Sequence, residues 1–256
     1  MLAIYRKEMR SYFINPIGYV YLGIYLVFSA LLCCYMTIMS GTYDTTNYFF
    51  YLALSFIVLI PLLTMRLFAE ERKLRTEQML MTAPVSITGM VLGKYFAALT
   101  LFVSGAVIST VNFIPLYAIA SAESGASSVT LSHIGPVTGQ IVGCFIAIVL
   151  LGAALIAVGT LISALTENQL SAAVITIGVI AAMVLLNMFN QLQDANGQPL
   201  IANYAVRFVI DWVSVLSRYM AFSNGLLDWA ALVYYVSIAF VFLFLTVRVY
   251  EKRRWG

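Results

Sequence analysis

Six stretches of this chain are long and apolar enough to cross a lipid bilayer, and no other feature limits its fold as strongly. They cover residues 17–39, 48–67, 89–120, 136–165, 169–189 and 229–249. A spanning helix needs about 20 mostly apolar residues, and each stretch reaches that length. The runs are apolar on all sides, whereas barrel strands alternate every second residue in shorter segments. Backbone in hydrocarbon must satisfy its own hydrogen bonds, so the runs read as helices. Composition agrees: of 256 residues, 62% are apolar and 10% charged, against roughly a quarter charged in soluble domains. That balance excludes a cytosolic enzyme, a secreted disulfide scaffold and a disordered tail. The expected fold class is an all-α polytopic membrane protein, one transmembrane domain over residues 1–256.

With six spans, both termini share one side. That side collects Arg6, Lys7, Arg10, Arg66, Arg72, Lys73, Arg75, Lys94, Arg248, Lys252, Arg253 and Arg254, twelve of the 14 basic residues. The other side holds Arg207 and Arg218, beside Asp44, Glu123, Asp194, Asp211 and Asp228. Lys and Arg accumulate in cytoplasmic loops, so both termini are expected in the cytoplasm. A net charge of +3 is too small to suggest a nucleic-acid partner. The first apolar run follows three basic residues, as in a signal peptide, but exceeds the ~7–15 residues of a signal core. It reads as a retained span.

Four polar segments separate or precede the spans. In residues 1–15, Leu2, Tyr5, Met9, Tyr12 and Phe13 recur at helical spacing with Arg6 and Arg10 opposite. That pattern predicts an amphipathic helix in the cytoplasmic interface, stopped before Pro16. Residues 66–87 form the most charged stretch of the chain. Leu67, Leu74 and Met81 recur every seventh residue, Glu71 and Arg75 sit at i,i+4, Pro84 ends the pattern and Ser86 can cap the next helix. The prediction is a protruding helix of three turns or more, presenting both signs of charge as a docking surface. In residues 200–228, Arg207, Asp211, Ser214 and Arg218 make one polar stripe on an otherwise apolar helix. Such a segment belongs on the outer leaflet or dips into it as a re-entrant helix. Residues 121–135, with the single His133, read as a plain connector.

The chemistry that is missing narrows function further. Between their ends the six runs carry no Asp, Glu, Lys, Arg or His, with Lys94, near the start of the third, counted with the basic end. Proton relays, ion-coupled carriers and voltage sensors are built on such groups. There is no HExxH motif, no nucleophile with a histidine in a span, and no Cys pair at metal-ligand spacing. Cys33, Cys34 and Cys144 read as small packing residues. The Gly89–Tyr95 stretch has G-x-x-x-G-K, not the phosphate-loop spacing. No catalytic residue, metal or bound cofactor is therefore expected on this chain. What the spans do carry is packing material: Gly139, Gly143 and Ala147, continued by Gly152 and Ala153, form a small-residue ridge, and Asn112 with Pro115 permits a kink. A transport-like body with no energy source of its own points to a separate partner that supplies the energy.

The stretch FAEERKLRTEQMLMTAPVSITGMVLGKY, Phe68 to Tyr95, resembles the cytoplasmic segment of ABC-2 type transporter permeases, in the branch of gliding-motility and copper-enzyme-maturation permeases. The last 42 residues before Gly256, SVLSRYMAFSNGLLDWAALVYYVSIAFVFLFLTVRVYEKRRW, look like that branch's last external helix and final span. The resemblance implies a bacterial plasma-membrane exporter: a permease half that pairs with a second half, identical or not, and with two ATP-binding cassette subunits that hold ATP and Mg. It makes residues 66–87 the coupling helix, with Glu70, Glu71, Arg72 and Lys73 as its acidic-basic core, Leu80 and Pro84 closing it, and Phe68 and Arg75 also among the coupling residues. Residues 2–14 become the connecting helix, with Arg6 and Arg10 on its polar face, and Arg207, Asp211 and Arg218 belong to the external helix. The sequence departs from the family at two places, with Arg75 where glycine is frequent and Gln78 where an acid is frequent.

A scaffold or mechanotransmission component driven by the same ATPase is the alternative, weakened by the small extracytoplasmic portion. An autonomous channel lacks a polar lining. Cargo of lipid, peptide or drug character suits the apolar interior, and an accessory extracytoplasmic protein is compatible with the external helix.

Overall fold

The computed structural model describes residues 1–75, 86–126, 135–191, 207, 208, 210, 212, 214–219, 222 and 228–255. Among them there is no strand. Six helical stretches are long and apolar enough to cross a membrane: Ile17–Ile38, Thr46–Lys73, Ile87–Ala122, Thr138–Leu165, Gln169–Met188 and Trp229–Arg254. The protein has the architecture of a multi-pass membrane protein.

The first helix, α1 (Leu2–Ile14), precedes the spans. It stops because Asn15 precedes Pro16 and takes an extended conformation, ψ 143°, the steric consequence of the following pyrrolidine ring. The chain then turns into α2 (Ile17–Cys33), which continues as a π-helical turn over Cys34–Ile38. At this corner the two helices nearly touch. A Cβ on Gly18 would lie 2.5 Å from the carbonyl oxygen of Tyr12, so glycine is required by close approach.

Next come α3 (Thr46–Thr64), a short α4 (Ala69–Lys73), α5 (Ile87–Ser109), α6 (Phe113–Ala126), α7 (Thr138–Leu165), α8 (Gln169–Gln191) and α9 (Trp229–Trp255). Ser86 caps α5, its hydroxyl accepting from the Gly89 amide at 3.3 Å. A 3-10 turn, Thr110–Asn112, separates α5 from α6. It lies just ahead of Pro115, whose missing N–H interrupts the helical ladder. Asn112 uses the break to donate to Ser29 on α2 at 2.7 Å, and Ser29 in turn contacts the Tyr48 hydroxyl on α3 at 3.1 Å.

The central post is α7. It packs on α3, α5, α8 and α9, and 67% of its most apolar window is buried, compared with 22% for α8 and for α9. Small residues allow this. Gly152 faces the Phe102 ring so closely that a Cβ there would overlap it, and Gly159 does the same against Thr64. The ridge read from the sequence is thus used at Gly152, whereas a Cβ on Gly139 would meet open space. The cysteines are free thiols, Cys33 and Cys144 buried and Cys34 exposed.

Replacement Gly18→Ala forces a methyl into backbone that cannot yield, and is expected to destabilise by ~1–3 kcal/mol. Gly23→Ala meets nothing within 4 Å and is expected to be neutral or stabilising by up to ~1 kcal/mol. Thermal unfolding of the detergent-solubilised protein checks the pair, and equal midpoints for the two would contradict the close corner.

Candidate functional site

The charges of the basic end converge on one buried ammonium. Lys94 lies in the second turn of α5 and is 1% exposed. Its Nζ donates to Leu67 O at 2.7 Å and to Glu8 Oε1 at 3.1 Å, and pairs with Glu71 Oε2 at 2.9 Å. An ammonium has three donors, and all three are used. The same Nζ stands 5.1 Å from the centroid of the Phe68 ring. Glu71 gives its other oxygen to Lys7 at 3.0 Å, and Lys7 lies 3.7 Å from Glu8. Two lysines and two glutamates therefore form a neutral quartet that ties α1, α4 and α5 together. Burial opposes the charge on Lys7, but its bonds to Glu71 and the nearby Glu8 outweigh that, so its pKa lies above the ordinary lysine value.

The segment behind the second span is anchored on its other sides as well. Ser163 of α7 accepts from the amides of Phe68 and Ala69 at 3.1 and 3.3 Å, capping α4 from a different helix, because its own sequence supplies no capping side chain. Arg72 reaches the turn between α7 and α8, meeting Glu167 at 2.8 Å and Leu165 O at 3.4 Å. Phe68 stacks against Tyr250 of α9, ring centroids 5.0 Å apart. Arg66 pairs with Glu70 one turn on. One stretch of eight residues, 66–73, thus touches α1, α5, α7 and α9.

These contacts revise the reading of residues 66–87 as one protruding helix. The described helix is five residues long, α4, and it ends at Lys73. Glu71 does not continue to an i,i+4 partner on a helix: it turns inward to Lys7 and Lys94, and Arg75 has left the helix with φ +56°. The face is therefore divided. Phe68, Glu71 and Arg72 hold the segment to the bundle, Glu70 pairs with Arg66 within it, and Lys73, Leu74 and Arg75 are exposed, Leu74 at 64%. Leu80 and Pro84 lie outside the described residues, as do Met81 and Gln78.

The amphipathic pattern of α1 is also used differently than expected. Tyr12 is buried and Tyr5 and Met9 are half-buried, packed with the protein core and against α5, while Leu2 and Phe13 stay exposed. Tyr5 donates to Thr100 on α5 at 3.2 Å. Arg6 and Arg10 point away and are exposed. Half of the apolar stripe is thus a helix-packing surface.

At the opposite end of the bundle, the polar stripe is broken up. Ser214 is fully buried, residues 215–218 form a turn, and Tyr219 and Phe222 are buried in the core. Arg218 stacks on the Tyr234 ring at 4.7 Å. Tyr234 and Tyr235 of α9 donate to the carbonyls of Trp212 and Val215 at 2.6 and 2.8 Å, satisfying backbone that helix no longer serves. Arg207 is half-buried, and Asp211 and His133 lie outside the described residues. Asp44 joins this end to α7: its carboxylate accepts from the Thr46 hydroxyl and amide and from Gln140, which hold its pKa below the usual aspartate value against the effect of burial.

The residue that sequence reasoning underrated is Lys94. Read as one basic residue among twelve, it is the hub of the quartet. The available signal was its position, a lone ionisable group inside an apolar helix, where charges are rarely idle. Among the described residues no group of His, Cys, Asp and Glu could hold a metal ion. No protein-family model matches this chain, and no curated protein matches it.

Lys94→Met removes the buried one of the two cations that Glu8 and Glu71 share and is expected to cost ~3–5 kcal/mol, the penalty for breaking a buried pair. Combining it with Glu71→Gln should recover part of that loss, a coupling of ~1–3 kcal/mol in a double-mutant cycle. Arg72→Ala, whose partner Glu167 is 75% exposed, should cost no more than ~1 kcal/mol. Unfolding midpoints of the parent, Lys94→Met, Glu71→Gln, their combination and Arg72→Ala decide it.

Proposed function

We propose that this chain is the permease subunit of an ATP-binding cassette exporter, driven by a separate ATPase. The observation that carries the reading is the two-sided segment after the second span: one side is bolted to α1, α5, α7 and α9, and the other presents Lys73, Leu74 and Arg75. A force applied to that exposed tip is delivered to several spanning helices at once, because the connection runs through paired charges and a shared cap in place of a flexible loop. Such a segment suits the coupling helix of the ABC-2 permeases that the sequence resembles.

A second feature supports the same reading. Arg75, standing where that family often has glycine, has φ +56°, the left-handed conformation that glycine adopts without steric penalty. The lack of charged side chains through the middle of the spans leaves an ATPase as the natural source of energy. The ATP, with its Mg, is bound by that partner. Cargo is of lipid, peptide or drug character, and a second permease half completes the path.

The experiment is co-purification of this chain with ATP-binding cassette proteins from its source cells, followed by ATPase assays in liposomes. The double reversal Lys73→Glu, Arg75→Glu alters only exposed side chains. It is expected to abolish ATPase capture while leaving the unfolding midpoint within ~0.5 kcal/mol of the parent. Lys94→Met should retain capture and lose the stimulation of hydrolysis. Unchanged capture and hydrolysis in the double reversal would sink the assignment of the tip.

A further inference from the structure

Two arginines of α1 are left over after the described acids of the basic end are matched. Glu8 and Glu71 are shared by Lys7 and Lys94, Glu70 is held by Arg66, Glu167 by Arg72 and Glu251 by Arg248. Arg6 and Arg10 have no carboxylate partner among the described residues, and both are exposed. They lie four residues apart, so one turn of helix stacks them on the same face. With Lys7, Ser11 and Asn15 they line an open groove of about 500 Å³. Lys7 is fixed from behind by Glu71 and Glu8, yet its side chain remains 56% exposed. The groove therefore offers three cations, one of them held in place, and a hydroxyl.

The groove adjoins a helix long and apolar enough to cross a membrane. It ends at Asn15, and that helix, α2, begins at Ile17, two residues on. Leu2, Phe13, Ile14 and Tyr19 flank it, 67%, 41%, 69% and 60% exposed. Phe13 and Tyr19 meet edge to face across the corner, centroids 5.6 Å apart. Exposed apolar and aromatic side chains beside exposed arginines are the elements of interfacial lipid contact.

We propose that the α1 groove, through Arg6, Lys7 and Arg10, binds the phosphate of an anionic phospholipid headgroup. Arginine donates to phosphate oxygens in pairs, Lys7 adds a third charge, and the flanking residues contact the glycerol and upper acyl chains. A soluble polyanion or an acidic protein surface would satisfy the charges, but not the apolar rim. The inference is independent of the exporter reading, since it needs only a membrane beside α2.

The test uses the purified full-length chain in non-ionic detergent. Phosphatidylglycerol or phosphatidylcholine is titrated in, and bound lipid is counted by native mass spectrometry. The parent should bind phosphatidylglycerol in preference to phosphatidylcholine. Arg6→Gln, Arg10→Gln should weaken phosphatidylglycerol binding about tenfold or more, and Arg6→Lys, Arg10→Lys should recover most of it. Unfolding midpoints of all three proteins should agree, because both side chains are exposed. Equal binding of the two lipids by the parent, or undiminished phosphatidylglycerol binding by the Gln variant, overturns the proposal. So does displacement of the lipid by millimolar inorganic phosphate, or binding of an acidic peptide in its place.

Discussion

The ammonium of Lys94 is the interaction on which the basic end of this molecule depends. A lysine removed from water is tolerated only when its charge and its donors are all answered. Here Glu8 arrives from α1, Glu71 from α4 and a carbonyl from the turn after α3. Each of those elements is consequently held where the ammonium needs it. Apolar residues in place of such a quartet often serve stability equally well. Its distinctive consequence is register: this placement of α1 and α4 against α5 pairs all four charges.

The rest of the bundle is built around a different constraint. In an apolar solvent, helices gain little by burying hydrophobic surface, and close packing between small residues carries more of the association. Gly152 against Phe102 and Gly159 against Thr64 bring α7 close to α5 and α3. The post formed by α7 also reaches down to Ser163, whose hydroxyl caps α4. The packing core and the charged segment are thus continuous through one helix. That continuity fixes the charged segment rigidly to the packed core.

Much of this was legible in the sequence. The apolar runs, the stop before Pro16, the Ser86 cap and the break near Asn112 and Pro115 follow from local rules that act within a few residues. Over residues 66–75 the charged connector departs from one continuous helix, because its i,i+4 pattern assumes that the side chains answer one another along that helix. Glu71 is instead answered by Lys7, 64 positions away, and by Lys94. Tyr5, Met9 and Tyr12 looked like a lipid-facing stripe for the same reason, since apolar periodicity does not say what covers the face.

The sequence by itself determined the class of this protein: six apolar runs and a 12:2 division of its 14 basic residues leave a helical multi-pass membrane protein with one strongly basic face. Hydrocarbon permits only helices and closed barrels, and runs that are apolar on all sides suit only the helix, so the conclusion needs no tertiary information. The tertiary structure alone decided which of the described charges are internal fasteners and which stand exposed. Glu71 and Lys94 became fasteners, while Arg6, Arg10, Lys73 and Arg75 stayed outside. That division depends on desolvation and distance between residues far apart in the chain, quantities that no local pattern encodes.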